Sequence, residues 1–140
     1  VDAILHYYAG QLEDAGVSFH HSIEVPQKMK ITDLDICRIF GNLLENAVRA
    51  VKADKETEEP YVNCICRVRM GKLLIDIENS YSGEVRRNGD VFYSTSHSGQ
   101  GIGTASVSKT AEKYGGYADF EASEGVFRAN VFIPLENSGS

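Results

Sequence analysis

The sequence predicts an α+β fold, a two-layer sandwich in which three helices cover one face of a mixed sheet of about five strands. Helix-like segments, with apolar residues every three to four positions, alternate with strand-like segments in which every second residue is apolar. The 140 residues are 42% hydrophobic and 24% charged, which is typical of a domain with its own core. We therefore expect one domain over residues 1–135 and a tail at 136–140.

The first half of the chain predicts a helix, a strand and a long second helix. Apolar spacing predicts the first helix over 2–15, and alternation predicts a strand over 17–25. Thr32 and Asp33 are residues that cap helices, and the second helix extends from them to about Val51. Its apolar side predicts a core made by Ile36, Ile39, Phe40, Leu43, Leu44, Ala47, Val48 and Val51.

The second half predicts a hairpin, a long loop, a helix and two strands. The segments 61–70 and 72–79 are rich in Val and Ile and flank Gly71, which predicts the hairpin. Residues 81–98 are polar and without periodicity, which indicates a functional or mobile loop. The last predicted elements are a helix over 104–114, which Gly115-Gly116 ends, and strands over 117–122 and 126–134.

Charge and cysteine content exclude several classes of protein. A net charge of -6 argues against nonspecific nucleic-acid binding. No apolar run reaches the length of a membrane span and no signal peptide opens the chain, which starts at Val1, so we expect a domain excised from a longer protein. Three cysteines, an odd number, indicate a reducing compartment, and Cys64 and Cys66 are interpreted as buried thiols and not as zinc ligands.

A glycine cluster, Gly99-Gln100-Gly101-Ile102-Gly103, precedes the predicted third helix. Alternate glycines let the backbone approach a ligand closely, and a helix N-terminus attracts anions, phosphate above all. A flexible turn explains the cluster equally well, because it lacks the spacing of a dinucleotide fingerprint and the lysine of a P-loop. A turn and a phosphate site both remain open.

A polar stripe runs along the second helix. Its members are spaced so that all four point to the same side of the helix: Asn42, Glu45, Asn46 and Arg49. Most such stripes are solvated surfaces. Asparagine is a poor helix former, however, and amide oxygens beside a carboxylate and a guanidinium suit a magnesium-bound polyphosphate. These residues alone leave both interpretations open.

The segment Asn42-Leu-Leu-Glu-Asn46-Ala resembles the N-box of the GHKL superfamily, which includes gyrase, the large heat-shock chaperones, histidine kinases and MutL. Further signatures follow in order: a hydrophobic strand ending at Asn79, a variable segment, the glycines of 99–103 and a Tyr-Gly-Gly at 114–116. The resemblance covers nearly the whole chain and implies the Bergerat ATP-binding fold, with a flexible lid over 81–98. Within the superfamily the chain is most similar to histidine kinase catalytic domains of the AgrC, citrate-sensor and LytS-like branch.

The resemblance implies a role for each matching residue. The resemblance implies that Asn46 matches the family's magnesium ligand, that Asn42 matches a neighbouring position facing the phosphates, and that Arg49 matches a position that contacts phosphate. Asn79 falls on the adenine-reading position, where most members have aspartate; its amide oxygen accepts a hydrogen bond but carries no charge, so weaker nucleotide affinity is expected. The remaining nucleotide-binding positions border the lid: Gly83, Gly99, Gly101, Ile102 and Gly103.

Two absences bear on catalysis. ATPases of the superfamily carry a glutamate base where this chain has Asn42, which cannot take a proton. Asn42 and Glu45 remain the catalytic candidates, with Glu45 to orient a nucleophile, because phosphoryl transfer depends mainly on positioning and charge neutralisation. The phosphoacceptor histidine is expected outside this chain, since paired long helices surround none of its four histidines: His6, His20, His21 and His97.

The resemblance therefore implies the ATP-binding catalytic domain of a two-component sensor histidine kinase. It would transfer the γ-phosphoryl group of Mg-ATP to a histidine on a separate dimerisation domain of the same protein, and so act indirectly on a response regulator. The intact protein is expected to be a homodimer and a membrane-anchored receptor with this domain in the cytoplasm. The alternatives are a degenerate, non-catalytic ATP-binding regulatory module and an anti-sigma-factor-type serine kinase, which Asn79 disfavours.

Overall fold

The computed structural model describes residues 2–26, 29–54, 56–81, 85–88, 91–94 and 100–135. Within these residues the chain forms three helices and seven strands in the order α1 (Asp2–Asp14), β1 (Ser18–Ile23), α2 (Asp33–Ala53), β2 (Tyr61–Arg69), β3 (Lys72–Ser80), β4 (Val85–Asn88), β5 (Val91–Ser94), α3 (Gln100–Lys113), β6 (Tyr117–Ser123) and β7 (Val126–Pro134). None of the described helices is long and apolar enough to cross a membrane.

Five strands form one mixed sheet in the order β1-β2-β3-β7-β6. β1 pairs with β2 in parallel, and the other neighbours pair antiparallel. Along β2 and β3, buried residues alternate with half-exposed ones, because successive side chains of a strand point to opposite faces. The buried face packs into one core with apolar residues of all three helices. The structure thus confirms the predicted α+β sandwich.

α2 is the central helix of this core. Thr32 is its N-cap, and the Thr32 side chain accepts a hydrogen bond from the backbone N–H of Asp35 at 3.1 Å. All eight apolar residues that the sequence predicts for its inner side are buried. Asp35 is buried with them, which the apolar pattern did not predict.

Glycines end α1 and α3 where the backbone turns left-handed. Gly16 and Gly115 have φ angles of 75° and 82°, which residues with a Cβ rarely adopt. Position 116 requires glycine because of a close approach of two backbone segments and not because of its φ angle. A Cβ at this position would lie 1.9 Å from the carbonyl oxygen of Phe132 in β7, so the Tyr-Gly-Gly segment combines a helix cap with a close backbone approach.

The expected loop over 81–98 contains an antiparallel hairpin, so that expectation is wrong for its described part. β4 and β5 form a separate two-stranded sheet in which Asn88 pairs with Val91. The sequence has Gly89-Asp90 between Asn88 and Val91, a two-residue combination typical of hairpin turns, and Val91-Phe92-Tyr93 favours a strand. These signals act between neighbouring residues, so the hairpin can form without a repeating pattern of apolar residues along the segment.

α3 begins at Gln100, four residues earlier than expected. Gly101 and Gly103 therefore belong to the first turn of the helix and not to a loop that precedes it. The expected tail, 136–140, lies outside the described residues.

Candidate functional site

The polar stripe of α2 lies beside its buried side, as the helical period requires. Asn42, Glu45 and Asn46 are half-buried and Arg49 is exposed. Their immediate neighbours in sequence, Leu43, Leu44, Ala47 and Val48, are buried in the core. Packing of these neighbours fixes the direction of the stripe, so the four polar side chains share one side of the molecule.

α2 and α3 pack antiparallel, and two contacts define their register. The Asn42 amide donates from Nδ2 to the hydroxyl of Ser106 at 3.4 Å. Asp35 lies seven residues before Asn42 on α2, and Lys113 lies seven residues after Ser106 on α3. Asp35 accepts a hydrogen bond from Nζ of Lys113 at 2.9 Å. Both helices rise by about 1.5 Å per residue. Continued by one turn, the same register places Asn46 near the level of Ile102.

The N-terminal turn of α3 therefore lies beside the stripe. Its backbone N–H groups have no partner within the helix, and they form the positive end of the helix dipole. Gly101, Ile102 and Gly103 belong to this turn. Gly83 and Gly99, the other two positions predicted near the lid, lie outside the described residues.

Glu45 links two helices, α1 and α2. Its Oε1 accepts a hydrogen bond from the hydroxyl of Tyr8 on α1 at 3.0 Å. Its Oε2 accepts one from Nε of Arg49, one turn further along α2, also at 3.0 Å. Burial and the hydrogen bond to Glu45 raise the pKa of Tyr8 to about 12, so this hydroxyl remains protonated and continues to donate.

Asn46 is half-buried, and its side chain makes no hydrogen bond to another residue that the structure describes. Its amide oxygen suits Mg²⁺, a hard cation that takes few protein oxygens and completes its coordination with water and phosphate. Among the described residues, no group of three or more His, Cys, Asp and Glu side chains is placed to hold a metal ion. The donor chemistry of the Asn46 amide oxygen fits a hard divalent cation whose other ligands are water and phosphate oxygens.

Asn79 occupies the end of β3 and is only 2% exposed. Its side-chain Nδ2 donates to the backbone carbonyl of Ser80 at 2.9 Å. The Ser80 hydroxyl in turn accepts a hydrogen bond from the backbone N–H of Tyr61 at 3.0 Å. These bonds hold the strand end and orient the amide of Asn79 on the face of the sheet that the helices cover.

Sequence reasoning missed Tyr8 and Ser106 as neighbours of the stripe. Tyr8 shares the helical spacing of the core residues Leu5 and Leu12. The sequence therefore indicated a core position for its ring and did not indicate that its hydroxyl contacts the stripe. Ser106 is one of several small polar residues of α3, and nothing in the sequence distinguishes it. The histidines within the described residues lie apart from these contacts, His6 on α1 and His20 and His21 on β1, all exposed. His97 lies outside those residues.

A family model described as the GHKL domain matches residues 29–134. The match covers more than half of the chain and includes α2, the end of β3 and α3. The chain belongs to the GHKL family. A search of curated proteins found no match.

Solved structures of histidine kinases share the fold. The catalytic domain of histidine kinase ThkA, in a nucleotide-free form, aligns with a TM-score of 0.74 at 14% identity, over 96% of this chain and 88% of its own. The histidine kinase AdeS of Acinetobacter baumannii aligns with a TM-score of 0.72 at 14% identity, over 97% of this chain and 63% of its own. For the histidine kinase domain of a blue-light-activated kinase from Erythrobacter litoralis, the TM-score is 0.70 at 14% identity, over 94% of this chain and 59% of its own. The chain thus spans about three fifths of the two longer structures.

Proposed function

We propose that this chain is the ATP-binding catalytic domain of a sensor histidine kinase. The observation that carries the proposal is the antiparallel packing of α2 on α3, which the Asn42–Ser106 and Asp35–Lys113 contacts define. It brings a stripe of amides and a guanidinium beside the unpaired N–H groups of a helix N-terminus. Membership of the GHKL family and the fold shared with histidine kinases support the same function.

Three of the four residues of the stripe have a proposed role in binding Mg-ATP. Asn46 would hold Mg²⁺ through its amide oxygen, and Asn42 and Arg49 would face the phosphates. Mg²⁺ neutralises phosphate charge when bound. The first turn of α3, with Gly101, Ile102 and Gly103, supplies backbone N–H groups for the same phosphates. Gly83 and Gly99 are proposed to border the nucleotide on the lid side.

Asn79 is proposed to read adenine. Its buried amide is fixed by the bond to the Ser80 carbonyl, which leaves the side-chain oxygen as the acceptor for the adenine amino group. Because an amide carries no net charge, this contact is weaker than the one an aspartate would make. We expect the chain to bind ATP less tightly than GHKL domains that have aspartate.

The proposed reaction is transfer of the γ-phosphoryl group to a histidine of a separate dimerisation domain of the same protein. The chain's own residues bind and orient the triphosphate, which supplies most of the catalysis in phosphoryl transfer. Asn42 cannot accept a proton, so efficient ATP hydrolysis is not expected. The proposal places the domain in the cytoplasm, as part of a homodimeric, membrane-anchored receptor of the AgrC, citrate-sensor and LytS-like branch that acts through a response regulator.

A second candidate function is a regulatory module that binds ATP without transferring phosphate. The observation in its favour is the pair Asn42 and Asn79, amides at two positions where the superfamily commonly has carboxylates. Neither position supplies a charge or a proton acceptor. The two functions differ only in the transfer step, which a direct assay separates.

The test is to incubate the chain and γ-labelled Mg-ATP with a fragment that carries the dimerisation domain of the same protein. We expect label on the fragment that is labile in acid and stable in base, as a phosphohistidine is. A fragment in which that histidine is replaced with glutamine is the control and should stay unlabelled. Nucleotide binding without label supports the regulatory module, and acid-stable label on serine supports a serine kinase. Either result overturns the histidine kinase proposal.

A further inference from the structure

Tyr8 contacts the stripe of α2 from a helix that takes no part in the proposed nucleotide site. It belongs to α1, and 37 residues separate it from Glu45, its hydrogen-bond partner. The contact is 3.0 Å long and partly buried. The Tyr8 hydroxyl therefore connects α1 to the stripe of α2.

Glu45 is held at both oxygens, by Tyr8 at Oε1 and by Arg49 at Oε2. An exposed ion pair one turn apart on a helix, such as Glu45–Arg49 alone, contributes little and leaves both side chains mobile. Tyr8 adds a second anchor that stops rotation of the carboxylate. Because Oε2 of Glu45 then has a fixed position, Nε of Arg49, which donates to it, is held in place as well.

The hydroxyl is suited to act as a permanent donor. Burial, followed by the hydrogen bond to Glu45, raises the pKa of Tyr8 to about 12, so the proton stays on the hydroxyl throughout the physiological range. The neighbouring Tyr7 is 60% exposed, and its ring meets that of Tyr8 edge to face at 4.9 Å between centroids. Two adjacent tyrosines of α1 thus have different environments, and only Tyr8 contacts Glu45.

We propose that Tyr8 is a positioning residue for nucleotide binding, which holds Glu45 so that Arg49 presents its guanidinium to the phosphates. The inference rests on the proposed function, since it takes Arg49 as a phosphate contact. It assigns Glu45 to holding Arg49 and gives α1 influence over nucleotide affinity. A displacement of α1 on α2 would break the Tyr8–Glu45 bond and weaken phosphate binding without touching the ligand.

The test compares Tyr8→Phe with Tyr7→Phe in the 140-residue chain by calorimetric titration with Mg-ATP. Both variants keep an aromatic ring and lose one hydroxyl. We expect Tyr8→Phe to weaken binding about threefold to tenfold and Tyr7→Phe to leave it unchanged. In an Arg49→Ala background we expect Tyr8→Phe to have no further effect, because the residue it positions is gone. A purely structural role for Tyr8 would weaken binding equally in both backgrounds.

A nucleotide-independent signal tests the positioning itself. The Nε–H resonance of Arg49, followed by nitrogen-15 NMR without ligand, should exchange with water slowly in the unaltered chain and in Tyr7→Phe, and faster in Tyr8→Phe. If the unaltered chain binds Mg-ATP and Tyr8→Phe matches Tyr7→Phe in affinity and exchange, the positioning role is overturned and the proposed function stands. If the unaltered chain binds no nucleotide, the proposed function fails and this inference fails with it.

Discussion

The hydroxyl of Tyr114, the residue that follows α3, donates a hydrogen bond to Oδ2 of the buried Asp35 in the first turn of α2. Lys113 donates to the same oxygen at 2.9 Å, and Arg38 donates to Oδ1 at 3.1 Å. One carboxylate thus joins the start of α2 to the end of α3. The register of the two helices beside the proposed site depends on this junction.

We expect the junction to make stability depend on pH. Bonds from Tyr114 and then Lys113 hold the pKa of Asp35 below its ordinary value of 3.8, so the carboxylate stabilises the fold above that pH and the contribution is lost as pH falls below it. Asp35→Asn should lower the melting temperature by several degrees at pH 7, and the difference should shrink as the pH falls below 3.8, through the lowered pKa of the folded Asp35 carboxyl. Circular dichroism melts across this range measure it. The control is Asp33→Asn, an exposed carboxylate in the same turn, and an equal loss in both variants contradicts the assignment.

Gly116 should tolerate no side chain. Its substitution with alanine would place a Cβ 1.9 Å from the carbonyl oxygen of Phe132 and 2.9 Å from the Cα of Ile133, both backbone atoms that cannot rotate away. We expect Gly116→Ala to lower the free energy of unfolding by about 3 kcal/mol, measured by urea denaturation. Gly10→Ala is the matched control, because a Cβ on that helical glycine meets open space and should stabilise by about 0.5–1 kcal/mol. A neutral Gly116→Ala would show that β7 lies further from α3 than described.

The three cysteines should differ in reactivity. Burial is the main cause that raises the pKa of Cys64 and of Cys66 to about 12, whereas Cys37 is only half-buried. The thiolate is the nucleophile, so we expect iodoacetamide at pH 8 to modify Cys37 first and the two strand thiols only after unfolding. Mass spectrometry of the alkylated peptides measures the order. Equal rates at all three sites in the folded chain would contradict the burial of β2 in the core.

Asn79→Asp should have opposite effects on stability and on binding. The carboxylate would be buried against the Ser80 carbonyl, to which the amide now donates, and we expect a loss of about 1–3 kcal/mol without ligand. The added charge should strengthen the contact with the adenine amino group and tighten ATP binding about tenfold. Thermal shift with and without Mg-ATP measures both effects. Weaker ATP binding by the variant would remove Asn79 from the adenine position.

The sequence correctly predicted the features that depend on a single helix or a single hairpin. The apolar and polar sides of α2 follow from its period of 3.6 residues, so its buried residues and the direction of its stripe were predictable. The β2–β3 hairpin was predictable from its strand residues and Gly71, which has a positive φ of 76°. Both depend on neighbours in sequence.

Contacts between distant segments were not predictable in the same way. Tyr8 and Glu45 are 37 residues apart, and Asn42 and Ser106 are 64 apart, so no local period relates them. The start of α3 at Gln100 was missed because glycines disfavour helix in isolation, although the first turn of a helix accepts them. The contacts that shape the candidate site therefore required the structure.

The most direct test of the central claim is whether Asn46 gives the chain a magnesium-dependent ATP site. Calorimetric titration with ATP, with and without Mg²⁺, should show binding that strengthens with the metal. Asn46→Ala should lose this dependence, and Asn63→Ala, an asparagine on the opposite face of the sheet, should keep it. No binding at millimolar ATP, or unchanged magnesium dependence in Asn46→Ala, would contradict the account.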